Sequence, residues 1–184
     1  MKQVLTTLIA GILTLTFSVV NAAELPHSIK AGTVHPSICI NATPAIQQQA
    51  LDQSKLDYLG AQIKSREDLN SYLSTTPINK SPFDHLSLGA KSRFLSSLVF
   101  NEKGLVGYSY ADLVAELPAS EIYKVLSLFG AQSTVPSIKG AKIASESDKL
   151  AVHPNTVCTG TSGYECSGPH TCRLESQSMC MSGC

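Results

Sequence analysis

Six cysteines are the residues with the plainest capacity for chemistry: Cys39, Cys158, Cys166, Cys172, Cys180 and Cys184. Five of them lie between Cys158 and Cys184, spaced C-x7-C-x5-C-x7-C-x3-C. An even count of cysteines suits a set of disulfides, provided that the chain reaches an oxidising compartment. Full pairing within the chain then requires one of the five tail cysteines to bond Cys39, and the spacing leaves the partner open. Zinc is the weaker alternative. Structural zinc sites favour short C-x2–4-C gaps, and only Cys180 to Cys184 comes near one, with His153 and His170 as the imidazoles of the tail. A catalytic Cys–His pair is weaker still, because no feature of the sequence marks one thiol as a nucleophile.

The remaining candidates are scattered. His35 precedes Pro36, close to Cys39. Asp84 and His85 form an adjacent carboxylate–imidazole pair, but neighbours along a chain rarely aim at one reacting atom. Their simpler role is to flank a helix cap at Ser87. Tyr108 and Tyr110 stand two apart and share a face if that segment is a strand. Such tyrosines can form a binding platform, yet they more often bridge an apolar interior and solvent. The chain has no H-E-x-x-H, phosphate-binding loop or dinucleotide glycine pattern. Gly160-Thr161-Ser162-Gly163 falls short of the G-x-S-x-G nucleophile elbow. These observations assign no catalytic, cofactor-binding or metal-binding residue, and the expected cofactor set is empty.

The compartment is read from the start of the chain. Met1 and Lys2 precede an uncharged, mostly apolar stretch from Val4 to Val20, followed by small residues up to Ala22. This is the pattern of a secretory signal peptide, 1–22, with cleavage after Ala22. At about 17 residues, and with several Thr and Ser, the stretch sits at the lower limit for a membrane span. No later segment approaches that length, so no membrane span is expected after cleavage. The expected location is secreted or periplasmic.

Composition excludes further classes. The 184 residues carry a formal net charge of zero, and only 15 % are charged, against about 25 % in ordinary globular proteins. A neutral chain lacks the basic footprint of a nucleic-acid binder. It also lacks the basic stripe that holds peripheral proteins on anionic membranes.

The elements that must position these residues follow from periodicity and capping. Residues 23–43 contain Pro26 and Pro36 and read as an extended N-terminal segment. A helical domain is expected over 44–130. Thr43-Pro44 opens a helix that Ile46, Ala50, Leu51, Leu59 and Ile63 extend to about Lys64. Ser65 caps a short helix to about Leu73. Ser87 caps another from Leu88 to about Phe100, and Pro118 starts one that ends before Gly130. Leu105 to Tyr110 has weak strand character. Phe94, Leu98, Phe100, Tyr108, Leu113, Ile122, Leu126 and Phe129 are the expected core.

Residues 131–152 have Pro136, Gly140 and several Ser, and read as a linker. The tail, 153–184, has too few apolar residues for a core of its own and must take its order from bridges. The expected fold is therefore mainly α: a small helical domain of three to five helices, a flexible linker, and a disulfide-stapled irregular Cys-rich tail.

Three functions are compatible with these readings. The first is an exported non-enzymatic protein that binds a protein or surface partner. The second is a precursor whose helical region is a pro-domain for a Cys-rich peptide of toxin-like, antimicrobial or signalling type. The third is an exported enzyme of unrecognised type. The first best fits the missing catalytic motifs.

Overall fold

The computed structural model describes residues 43–153 and 160–184. In chain order these form α1 (Pro44–Gly60), α2 (Arg66–Thr75), a 3₁₀ turn (Pro82–His85), α3 (Leu88–Ser97), β1 (Val99–Asn101), β2 (Gly104–Ser109), α4 (Ala111–Glu116) and α5 (Ala119–Ser127). A second 3₁₀ turn (Gln132–Ser137), α6 (Glu146–Ala151), β3 (Gly160–Gly168) and β4 (Thr171–Met181) follow. The four strands make one antiparallel sheet in the order β1-β2-β4-β3.

Several helix starts obey the expected capping chemistry. Thr43 Oγ1 accepts from the Ile46 amide at 3.4 Å, Ser65 Oγ from Asp68 at 3.0 Å, and Ser87 Oγ from Ala90 at 3.3 Å. Each satisfies one of the amides that a helix start leaves without an intrahelical partner. Helix α1 ends at Gly60, short of Lys64, because its C-terminal end is taken over by tertiary bonds. The Gln62 and Ile63 amides both donate to the Leu128 carbonyl, at 3.0 and 2.9 Å. That docking needs Gly130, whose φ is +68° and where a Cβ would sit 2.6 Å from the Asp57 carbonyl oxygen.

The core is built around three phenylalanines. Phe83, Phe94 and Phe129 lie with ring centroids 6.0–6.3 Å apart, and Tyr108 meets Phe94 edge-on at 6.4 Å. Such tilted and edge-on pairs are the favoured aromatic arrangements. Ile63, Leu69, Leu113, Ile122, Leu126 and Val135 complete it, with Leu98 buried and Phe100 packed against its margin. Seven of the eight residues expected in the core belong to it; Phe100 is only partly buried and packs against its edge.

The expectation of a mainly α fold with a flexible linker and an irregular tail is overturned. Residues 131–152 carry the second 3₁₀ turn and α6, and Ala131, Thr134, Val135 and Ile138 are buried. The apolar residues here are too few for a helical stripe because single residues fill gaps in the core. The tail is a β-hairpin. Strand β4 lies between β2 and β3, and its Met179 and Met181 enter the main core. Residues with weak strand preference are held by pairing on both sides, so local propensity loses to tertiary context.

The hairpin is bent. Its pairing passes from Ser162↔Met179 directly to Tyr164↔Leu174, so Gly163 alone faces the stretch from Glu175 to Ser178. Gly163 and Gln177 supply the left-handed backbone at this irregularity, with φ of +86° and +56°. Such bulges sharpen strand bending.

Candidate functional site

The bend sets the cysteine chemistry. Cys172 and Cys180 occupy one strand, yet the fold brings their Cα atoms to 5.9 Å and they are bridged. Cys166 and Cys184 form a second bridge, with Cα atoms 5.6 Å apart. Among the described residues no cysteine is free. Val106 of β2 packs with Cys172, Cys180 and Cys184 in a small cluster separate from the main core, with Tyr164 and Cys166 against it. The chain is thus cysteine-rich and disulfide-bonded. Cys39 and Cys158 lie outside the described residues, as does His35.

The Cys172, Cys180 and Cys184 sulfurs lie within 4.8 Å of one another, near enough for thiolates to share a metal. Held in bridges, they offer no thiolate, and it is the thiolate that binds metal. A cleft of about 390 Å³ opens beside the Cys166–Cys184 bridge, lined in part by Phe100, Lys103 and His170. His170 sits in the hairpin turn with φ +58°, and its amide donates to the Cys184 carbonyl at 2.8 Å.

The other candidates do not converge. Asp84 caps the first 3₁₀ turn through the Ser81 amide and pairs with Lys91 at 3.1 Å. The Lys91 hydrogen bond is the main cause that lowers its pKa. His85 points away to Glu121, 3.5 Å off, and is more than half exposed. Tyr108 and Tyr110 are core residues. Tyr108 OH lies 2.5 Å from Thr134 Oγ1, and burial raises its pKa; Tyr110 OH lies 2.7 Å from Ser162 Oγ, tying α4's start to β3. Ser87 does cap α3, and Glu116 in turn accepts from its amide and hydroxyl, each at 2.7 Å.

The arrangement with the most unspent binding capacity lies elsewhere, in a cavity of about 170 Å³ where α1, α5, the second 3₁₀ turn and α6 meet. Gln53, Asp57, Tyr123, Gln132, Pro136 and Leu150 line it, with His153 among its other wall residues. Asp57 is only 9 % exposed. Among the described residues its carboxylate has one donor, Gln53 Nε2 at 2.7 Å. Gln132 Oε1 is buried and has no hydrogen-bond partner at all, alone in this among the described residues. Native structures satisfy the large majority of such atoms. A shallower groove of about 440 Å³ adjoins the cavity through Tyr123, Leu150 and Ala151. Leu150 is 74 % exposed there.

This site rests on a well-braced α6. Ser145 caps the helix, and the Asp148 carboxylate accepts from the amides of Ser145 and Ala144, at 2.9 and 3.0 Å, and from Ser145 Oγ at 2.7 Å. It also reaches across to the Ser120 amide of α5, at 2.8 Å. These bonds, that to Ser120 foremost, hold the Asp148 pKa far below the usual carboxylate range. Sequence reasoning missed Asp57, Gln132 and Leu150. Reading 131–152 as a linker hid the last two. Asp57 had a usable signal: it lies seven residues after Ala50, on the buried stripe of α1.

Comparison with known protein families, with curated proteins and with solved structures finds no match to this chain. Among the described residues no helix is long and apolar enough to cross a membrane. The two bridges are compatible with an extracellular or periplasmic protein.

Proposed function

We propose that this chain is an exported, disulfide-stabilised protein that binds a protein partner at the junction of α1, α5 and α6. The observation that carries the reading is the cavity with a buried, singly satisfied Asp57 and an unsatisfied Gln132 Oε1 beneath an exposed apolar rim. Apolar walls with a few convergent polar groups are the usual make-up of a binding pocket. The leader-like start of the chain and the bridges support export. The precursor alternative draws no support from the fold, because a cut before β3 leaves β4 paired to β2 and its methionines in the core.

The test has two parts. The intact mass of the protein recovered outside the cytoplasm should correspond to Ala23–Cys184 with its cysteines bridged. A photo-cross-linker placed at Leu150 should then give a discrete adduct that excess unlabelled protein competes away. The same probe at Ile78, an exposed residue of the α2–α3 connection, should give none. A chain retained uncleaved with free thiols would overturn export, and identical labelling from both positions would overturn the docking face.

A further inference from the structure

The proposed docking face has a chemical preference, and the inference that follows rests on that reading. Two polar groups on the cavity wall, Asp57 and Gln132, present acceptors. Asp57 takes part in no ion pair among the described residues, and Gln53 Nε2 is its one hydrogen-bond donor. Gln132 offers an acceptor with no donor. A buried carboxylate with so few donors is costly unless a cation or further hydrogen bonds complete it.

The nearby lysines are already engaged. Lys124 pairs with Glu121 at 2.8 Å and Lys149 with Glu146 at 2.7 Å. Neither compensates Asp57. His153 and the Tyr123 hydroxyl are the other titratable groups on the cavity wall. The walls between are apolar, from Tyr123, Pro136 and Leu150. The cavity, at about 170 Å³, is well under the ~300 Å³ at which pockets for whole small molecules begin. It suits one side chain.

We infer that the cavity receives an arginine side chain of the protein partner, its guanidinium donating to Asp57 and Gln132 and its stem lying along Pro136 and Leu150. A guanidinium supplies five donors and no acceptor, which matches the two acceptors, Asp57 and Gln132 Oε1. Its alkyl stem buries readily against apolar walls, and its cation can lie over an aromatic ring such as that of Tyr123. Arginine is also among the residues most often found at the energetic centre of interfaces.

The experiment titrates the whole exported chain with N-acetyl-arginine methylamide and, separately, with its neutral counterpart N-acetyl-citrulline methylamide. Amide resonances of Tyr123, Leu150 and Ala151 are followed by NMR. Saturable shifts are expected with the arginine probe, with citrulline weaker by about tenfold, the factor that one charge-assisted hydrogen bond provides. Asp57→Asn should erase that discrimination while leaving the spectrum dispersed, and Gln132→Met should weaken the arginine probe if the first variant does not fold. The probe should also displace the adduct formed from Leu150. Equal shifts from both probes, or none from either, would overturn the arginine assignment. An adduct at Leu150 that the arginine probe leaves untouched would keep the docking face and remove the cation from it. Probe binding with no Leu150 adduct would instead remove the protein partner.

Discussion

At the scale of single residues, Asp148 does more than its place in the chain advertises. Ser145 three residues before it signals a capping box, but the bond to Ser120 joins two helices and is invisible until α5 and α6 pack. Its folded pKa is depressed, so the stability it brings is complete above the unfolded aspartate value of about 3.9 and is lost as pH falls toward the folded value. Thermal unfolding followed from pH 7 down to pH 2 should show Asp148→Asn less stable than the native chain at neutral pH. The gap should narrow in acid. A gap of equal size at both ends would mean that the carboxylate charge is not what matters. The cysteines allow a second prediction. With Cys166 bonded to Cys184 and Cys172 to Cys180, complete pairing within the chain leaves only Cys39 with Cys158. Peptide mapping without reduction should recover those two in one linked pair, and Cys39→Ser should expose one thiol, at Cys158. A thiol at any other position would reject the pairing.

At the scale of elements, the helix starts at Thr43, Ser65, Ser87 and Pro118 were legible, and α6 and the hairpin were not. Thr43, Ser65 and Ser87 are caps that sequence alone identifies, because capping is local. The apolar stripe of α1 misled in detail: Leu51 and Leu59 are more than half exposed, while Ala50 and Asp57 face inward. Small residues let α1 approach the backbone at Gly130, so the larger side chains point out. The tail escaped notice because its order is not local. Gly and Ser, frequent here, have little strand preference; β3 and β4 form through pairing with each other, through pairing of β4 with β2, and through two bridges. Replacing both Cys172 and Cys180 by Ser should therefore cost about 2–4 kcal/mol in a denaturant titration. The loss should fall on the bent half of the hairpin first, read as faster amide exchange at Arg173 and Leu174 than at Met179. Uniform exchange along β4 would show that the bridge does not hold the bend. The candidate site was illegible for a related reason, since Asp57, Gln132 and Leu150 come from three elements that meet only on folding.

At the scale of the whole molecule, helices and hairpin share one core. Phe94 touches Phe83, Phe129 and Tyr108 and is fully buried. Phe94→Ala should destabilise the protein by about 3–5 kcal/mol. Because Met179 lies in the same cluster, β4 should lose protection together with α3 in a single transition. Two separate transitions would mean that the tail folds as its own unit.

The sheet order carries a consequence in time. Strand β4 follows every other described element along the chain, yet it sits at the centre of the sheet, flanked by β2 and β3. A chain made or threaded across a membrane from its N-terminus delivers that central strand last. Until then β2 has only the three-residue β1 to pair with, and a two-stranded ribbon is marginal in water. The main core also waits for two of its methionines. The order of emergence thus postpones the cooperative step until the C-terminal hairpin is complete.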